Sequence, residues 1–135
     1  MKTRFLMCAS TLLLVLSVVA FGQDVAEYQP LMKAAASANG MLQKNVQGDL
    51  AAAVSNAAEV KSAFQKIEQF WAKHKVADAQ EFAKNAQQAA DEAQMAAKAG
   101  NKEGAMAAAK KIGASCQGCH QAHREKAADG SFMIK

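Results

Sequence analysis

The sequence predicts an all-α fold, an antiparallel up-down-up-down bundle of four helices. From Gln23 onward the chain is rich in alanine and contains one proline, a composition that favours helix and disfavours strand. Its apolar residues recur at alternating spacings of three and four positions, which places them on one face of a helix. The helical segments, about 18 to 25 residues each, are joined by short connections near residues 48, 75 and 100, which make neighbouring helices antiparallel.

The start of the chain differs in composition from the rest and predicts a cleaved signal peptide. Lys2 and Arg4 give a basic start, and residues 12–20 form an apolar run shorter than the ~20 residues that cross a bilayer. Small residues up to Gly22 offer a cleavage site before Gln23. A retained membrane anchor is the alternative, but the short run favours cleavage. We therefore expect export to the periplasm, with no stable membrane anchor.

Removal of residues 1–22 leaves residues 23–135, which suffice for one domain with one core. Lys2 and Arg4 are two of the 16 basic residues, and none of the 12 acidic residues lies in the signal peptide, so the formal net charge falls from +4 to +2. Scattered basic residues and few aromatic residues are not the pattern of a nucleic-acid-binding protein. No nucleophile with an oriented base stands out, so no enzyme activity is predicted.

The first and second predicted helices each carry one apolar stripe. The first helix lies between Pro30, which is tolerated in a first helical turn, and a break at Gly48 and Asp49. Its stripe consists of Leu31, Ala35, Ala38, Leu42 and Val46. The stripe of the second helix consists of Leu50, Ala53, Val54, Ala57, Val60, Phe64, Ile67 and Trp71. Phe70 and Trp71 are expected to pack in the core or at the edge of a cofactor, and His74 is expected to be solvated.

The third helix begins near Asp78 and ends at Gly100 and Asn101, and the fourth runs from about Lys102 to about Ala127. The third stripe consists of Ala79, Phe82, Ala83, Ala86, Ala89, Ala90, Ala93, Ala96 and Ala97. The fourth consists of Met106, Ala109, Ile112, Cys116 and Cys119. Alanine buries little apolar area, so either these helices approach one another closely or a large apolar cofactor fills the middle of the bundle.

The last helix contains the pattern Cys-x-x-Cys-His, at Cys116, Cys119 and His120, which is the attachment pattern for c-type haem. Positions related by i, i+3 and i+4 share one helix face. Two thiols one turn apart can therefore meet the two vinyl groups of one porphyrin, and His120 then projects under the iron as the proximal ligand. The motif predicts one covalent haem c, added to the four-helix bundle.

The motif has two other interpretations besides haem attachment. The first is a redox-active or structural disulfide in a haem-free exported helical protein, because the periplasm favours oxidised thiols. A reactive dithiol usually starts a helix in a βαβ setting, whereas this motif lies near the end of a helix. The second is a zinc site that adds His123 or His74 to the motif. Zinc normally requires a second pair of closely spaced ligands, and the chain has none.

The segment from Gly113 to Arg124 resembles the haem segment of the class II cytochromes c, the family of cytochrome c prime and its low-spin relatives. It has the family's small-residue lead-in, the Cys-x-x-Cys-His motif near the C-terminus, and an arginine four positions after the histidine. The resemblance covers nearly all of residues 24–126. It implies that Arg124 lies near the proximal side of the haem, and the alternative is a solvated cation facing the helix dipole. His123 stands where the family usually has tyrosine and is interpreted as a partly exposed filler.

The segment from Tyr28 to Lys33 is similar to the family's first-helix segment ending in Leu-Met-Lys. The resemblance implies that Met32 faces the far side of the iron, where a methionine binds in low-spin members and an apolar side chain blocks the iron in high-spin ones. Met41 is a competing ligand, and the absence of a sixth protein ligand is the third alternative. The arginine that family members carry just before this segment is replaced here by Tyr28 or Gln29. Lys33 is therefore the candidate partner for a haem propionate.

Two functions follow from the resemblance. If His120 and Met32 are both axial ligands, the iron is low-spin and the protein is a periplasmic single-electron carrier that serves redox partner proteins. If Met32 does not bind, the iron is five-coordinate and high-spin, and the protein binds nitric oxide or carbon monoxide. The resemblance leaves open whether the chain is a monomer or a homodimer formed through its first two helices.

Overall fold

The structure is a computed structural model that describes the backbone of residues 7–135 and the side chains of residues 24–135. Its elements are the helices α1 (Met7–Asn45), α2 (Leu50–Lys73), α3 (Ala77–Lys98) and α4 (Lys102–His123), followed by the strands β1 (Arg124–Lys126) and β2 (Phe132–Ile134). In the part of the chain that the structure describes, no helix has the length and apolar composition needed to span a membrane. The predicted signal peptide, residues 1–22, lies outside the described side chains.

The four helices form an antiparallel bundle, as the sequence predicts. Each helix packs against the next one along the chain, and α1 returns against α4. Polar contacts between neighbouring helices show that they are antiparallel, because a higher residue number on one helix is paired with a lower residue number on the next. The contact pairs are Lys61–Asp91 and Glu68–Gln87 between α2 and α3, and Glu92–Lys111 and Asp78–His123 between α3 and α4.

The connections lie where the sequence predicts them, and capping residues explain their positions. Asp49 precedes α2, and its carboxylate accepts a hydrogen bond from the backbone N–H of Ala52. Asn101 precedes α4, and its side-chain oxygen accepts from the N–H of Gly104. Gly100 has a φ of 71°, in the left-handed region that glycine enters without steric cost, and it ends α3 sharply.

The core is built mainly from alanine. Among the buried apolar residues of the described part, 15 of 23 are alanine, and every buried residue of α3 is alanine. The predicted stripes are confirmed, because nearly all of their residues are buried or pack against the buried cluster. Small side chains allow α3 to approach α2 and α4 closely. The aromatic side chains of the core, Phe64, Phe70 and Trp71, all come from the second half of α2.

Two predicted boundaries are wrong. Pro30 lies inside α1 instead of in a first turn, because the helix already includes the residues before it. The missing proline N–H leaves the carbonyl of Ala26 without its intrahelical donor. The last helix ends at His123 and not near Ala127, because Arg124 adopts extended backbone angles of φ −121° and ψ 132°.

The residues after α4 form a short hairpin that the composition argument did not predict. Arg124 pairs with Ile134, and Lys126 pairs with Phe132, in antiparallel register. The turn between the strands contains Gly130 with a φ of 85°, and the carboxylate of Asp129 accepts hydrogen bonds from the backbone N–H and hydroxyl of Ser131. The chain therefore folds back onto the end of α4 after the helix has ended.

Candidate functional site

A cavity of about 480 Å³ lies between α1, the end of α2, the end of α4 and the hairpin. Its walls include Met32 and Lys33 from α1, Cys119 and His120 from α4, and Arg124 from β1. These are five of the six side chains that the sequence analysis assigns to a site. The volume is within the range of roughly 300 to 1,000 Å³ that is typical of small-molecule and cofactor sites.

Cys116, the sixth predicted residue, lines a smaller cavity of about 20 Å³ on the interior side of α4. Met32, Cys119 and His120 line both cavities, so the two spaces adjoin along the motif. The interior cavity is otherwise largely apolar, with walls that include Phe64, Ile67, Ala79, Phe82 and Ala83. The complete Cys-x-x-Cys-His face of α4 and Met32 of α1 therefore meet in one region of the bundle.

Gly118, between the two cysteines, allows α3 and α4 to meet closely beside the site. A Cβ atom built on Gly118 would lie 2.5 Å from Cε1 of Phe82, which is closer than real Cβ contacts come. The glycine therefore permits the Phe82 ring to pack against the α4 backbone and to form part of the interior cavity wall. The motif alone does not predict a role for Gly118, because Phe82, the residue that it contacts, lies on another helix.

Both motif cysteines are free thiols with half-buried side chains. Burial raises the pKa of Cys116, and it raises the pKa of Cys119 to about 11, with a further contribution from the neighbouring Cys116. Reactive dithiols have the opposite property, a pKa lowered by nearby positive charge or a helix N-terminus. The environment of these thiols thus differs from that of a redox-active dithiol.

His120 is half-buried and contacts Arg124. Burial lowers the pKa of His120, and the positive charge of Arg124 lowers it further, so the imidazole is neutral near neutral pH. Nη1 of Arg124 lies 3.4 Å from Nδ1 of His120. A guanidinium group only donates, so this contact is a hydrogen bond only in the tautomer with the proton on Nε2; when Nε2 is free for a metal, Nδ1 carries the proton and the two groups are in contact without a hydrogen bond. Arg124 is half-buried and directly follows the last residue of α4, at the helix end where a cation also faces the helix dipole.

The two methionines proposed as competing ligands lie in different environments. Met32 is half-buried and lines both cavities together with His120. Met41 is 47% exposed and lines a separate groove between α1 and α2. Of these two methionines, Met32 is therefore the one that shares a cavity with the candidate proximal histidine.

Tyr28 and Trp71 form a polar contact in the cavity wall that sequence reasoning did not anticipate. Nε1 of Trp71 donates a hydrogen bond to the hydroxyl oxygen of Tyr28 at 3.1 Å, and the two rings meet edge to face. Burial raises the pKa of Tyr28, so its hydroxyl keeps its proton. Trp71 is only 3% exposed, which confirms its predicted place in the core. Gln29 and Lys33, by contrast, are exposed residues at the cavity rim.

The other two histidines have partners outside the motif. Nε2 of His123 lies 2.9 Å from a carboxylate oxygen of Asp78, and its ring lies against Trp71. His74 was expected to be solvated, and this expectation is wrong. Its side chain is 25% exposed because the ring packs on Phe70, and Nε2 lies 3.7 Å from a carboxylate oxygen of Asp24. In the described part of the chain, no group of three or more His, Cys, Asp or Glu side chains is arranged to hold a metal ion.

The hairpin contributes cavity residues that the sequence analysis did not assign to the site. Phe132, Met133 and Ile134 all line the large cavity. The guanidinium carbon of Arg124 lies 3.3 Å from the centre of the Phe132 ring. The signal for this strand in the sequence is the apolar run at 132–134 after the turn residues 129–131, but a fourth helix that continues to about residue 127 leaves no partner strand for it.

Comparison of the chain with protein-family models, with curated proteins and with solved structures finds no match.

Proposed function

We propose that this chain is a c-type cytochrome resembling the class II cytochromes c, with one haem c attached through Cys116 and Cys119 and with His120 as an iron ligand. The observation that carries the proposal is the shared cavity. The motif face of α4 lines a largely apolar space that also contains Met32, a side chain 88 positions before His120 in the sequence. An apolar porphyrin requires such a space, and a disulfide does not.

The side chains that line the two cavities have the chemistry needed to hold a haem. The lowered pKa of His120 keeps its imidazole neutral, and in the tautomer with the proton on Nδ1 the lone pair of Nε2 is available for a metal, which a protonated ring would lack. The thioether of Met32 is a soft ligand that raises the potential of a haem couple. Two half-buried thiols one helical turn apart suit a covalent attachment that keeps the cofactor in an exported protein. When bound, the haem supplies an iron that cycles between the ferrous and ferric states.

We infer that the protein is a periplasmic single-electron carrier with His120 and Met32 as axial ligands. The two residues that would bind the iron lie on α1 and α4 of one packed bundle, which would restrict their movement when the charge of the metal changes. Trp71 in the wall of the large cavity, and Ala79 and Ala83 in the wall of the interior cavity, give the proposed haem apolar surroundings. The partners would be redox proteins, and Lys33 is an exposed residue at the rim of the cavity that such a partner could contact.

The test is the mass and the visible spectrum of the polypeptide produced together with haem-attachment machinery. We expect the mass of residues 23–135 plus one haem, and a low-spin spectrum with sharp reduced bands and a sulfur-to-iron charge-transfer band. A haem protein that is high-spin and binds carbon monoxide readily would contradict ligation by Met32 and support the gas-binding alternative. A polypeptide with the bare amino-acid mass and no Soret band would overturn the proposed cofactor.

A further inference from the structure

The register of the C-terminal hairpin brings an aromatic ring to the residue that contacts the candidate iron ligand. Arg124 pairs with Ile134 and Lys126 pairs with Phe132, so Arg124 and Phe132 are diagonal neighbours. Side chains two positions apart on a strand lie on the same face, and diagonal neighbours are within reach of aromatic and long side chains. The turn at Gly130 fixes this register, since its φ of 85° disfavours any residue with a side chain.

Arg124 lies between the ring of Phe132 and the imidazole of His120. Its guanidinium carbon is 3.3 Å from the centre of the Phe132 ring, and its Nη1 is 3.4 Å from Nδ1 of His120. Among the described residues, no carboxylate forms a salt bridge with Arg124. The aromatic face is therefore the described contact that holds the guanidinium group on the side away from His120.

The position of the Phe132 side chain is not explained by burial in the core. Its side chain is 49% exposed, and it is not part of the buried cluster, against which Ile134 of the same strand does pack. The backbone N–H of Lys135 donates to the carbonyl of His123 at 3.1 Å and ties the end of the hairpin to the end of α4. Ile134 and this hydrogen bond attach the hairpin to the bundle. The Phe132 ring is not needed for that attachment, and its described contact is with the guanidinium group of Arg124.

We propose that Phe132 is a positioning residue for His120: by stacking on Arg124 it holds a positive charge against the imidazole that binds the iron. This inference rests on the proposed function. A fixed cation beside an iron ligand disfavours the ferric state, which carries one more positive charge than the ferrous state. The hairpin thereby favours reduction of the iron, although none of its residues binds the metal.

The experiment uses the haem-loaded protein and three substitutions. Phe132→Leu removes the aromatic face but keeps an apolar side chain, and Phe132→Tyr restores the face. Ala128→Ser, at an exposed position in the hairpin turn, is the matched control. One measurement is the ferrous-to-ferric ratio at a fixed applied potential. The other is two-dimensional NMR of the Arg124 side chain, whose signals are shifted by the ring current of a stacked aromatic ring.

We expect Phe132→Leu to lose the ring-current shift of Arg124 and to move the ratio toward the ferric form by about twofold to tenfold. Phe132→Tyr and Ala128→Ser should match the unsubstituted protein in both measurements. An unchanged ratio in Phe132→Leu, or an unshifted Arg124 signal in the unsubstituted protein, would overturn the inference while leaving haem attachment intact. Absence of haem from the purified protein would instead overturn the proposed function, and the NMR measurement of the stack would still be possible.

Discussion

At the scale of single residues, Met32 and Met41 are the informative pair, because both are on α1 and they differ in environment. Met32 lines the cavity that also contains His120, whereas Met41 is largely exposed in a groove between α1 and α2. A sulfur ligand must lie on the same side of the core as the metal. The position of each side chain therefore gives the two methionines different expected effects when they are replaced.

We predict that Met32→Leu converts the haem-loaded protein from low-spin to high-spin. Leucine keeps the side-chain volume approximately and removes the sulfur lone pair, so the sixth ligand is lost with little change in packing. The visible spectrum should lose its sulfur-to-iron charge-transfer band and should change on addition of carbon monoxide. Met41→Leu is the matched control and should leave the spectrum unchanged. A low-spin spectrum in Met32→Leu would show that another group binds the iron.

Cys119 gives a prediction for the chain before haem attachment. Burial raises its pKa from 9.0 to about 11, so its thiolate fraction near pH 8 should be on the order of a hundredfold smaller than in the unfolded chain. We expect alkylation by iodoacetamide to be slower by about that factor in the folded chain, as followed by mass spectrometry, with the denatured chain as the control. Equal alkylation rates in the two states would contradict the burial of this thiol.

The raised pKa of Cys119 also makes the stability of the haem-free chain depend on pH. A group whose folded-state pKa is raised favours the folded state below its ordinary pKa, and this contribution is lost as the pH rises through the folded value. For the haem-free chain, the contribution of Cys119 is therefore complete below about pH 9 and is lost between about pH 9 and pH 11. The free energy of unfolding should decline over this interval, and a Cys119→Ala chain should lack that part of the decline.

At the scale of elements, the contact between α3 and α4 is close because both helices present small residues. The buried face of α3 consists only of alanine, and three of the four buried residues of α4 are alanine. Two glycines of α4, Gly113 and Gly118, differ sharply in the space around them. Nothing lies within 4 Å of a Cβ built on Gly113, whereas a Cβ on Gly118 would collide with the ring of Phe82.

We predict opposite effects of alanine at these two positions of α4. Gly113→Ala should stabilise the fold by about 0.5 to 1 kcal/mol, because alanine loses less backbone entropy in a helix and meets no neighbour. Gly118→Ala should destabilise it by about 1 to 3 kcal/mol, because Phe82 must leave its position. Chemical denaturation followed by helix circular dichroism measures both. Similar stabilisation by the two substitutions would mean that Phe82 yields without cost.

At the scale of the whole molecule, the large apolar side chains of the core are few and unevenly distributed. Phe64, Ile67, Phe70 and Trp71 lie in the second half of α2, α1 adds Leu42 and α4 adds Ile112, and most of the other buried residues of α1, α3 and α4 are alanine. Burial of apolar area stabilises a fold by ~25 cal/mol per Å². Each alanine buries little apolar area and therefore contributes little of this free energy. A bound apolar cofactor in the cavity should therefore contribute much of the stability of the mature protein.

We predict that loss of both attachment thiols lowers the midpoint of thermal unfolding on the order of 10 °C. The double variant Cys116→Ser and Cys119→Ser cannot retain the haem covalently, so the cavity loses the group that fills it. Gln117→Ala, at an exposed position between the two cysteines, keeps both thiols and is the control. Thermal circular dichroism measures the midpoint. A double variant as stable as the control would contradict a stabilising role of the cofactor.

The sequence by itself determined the features that depend on local periodicity. The stripes of the four helices follow from spacings of three and four, and the connections follow from Asp49, Gly100 and Asn101, which act on their immediate neighbours. The common face of Cys116, Cys119 and His120 is equally local, since helix geometry alone aligns them. Haem attachment, electron transfer and export remain predictions that rest on the motif, the resemblance and the signal peptide.

Only the tertiary structure decided the features that join distant segments. It brought Met32 and not Met41 to the cavity of His120, packed His74 on Phe70 where solvation had been expected, and set Phe82 against Gly118. It also ended the last helix at His123 and folded the chain back as a hairpin. Which side chains of different helices meet depends on how each helix is rotated about its axis and shifted along it relative to its neighbours. Those quantities depend on packing across the entire core, which the pattern of any single segment does not contain.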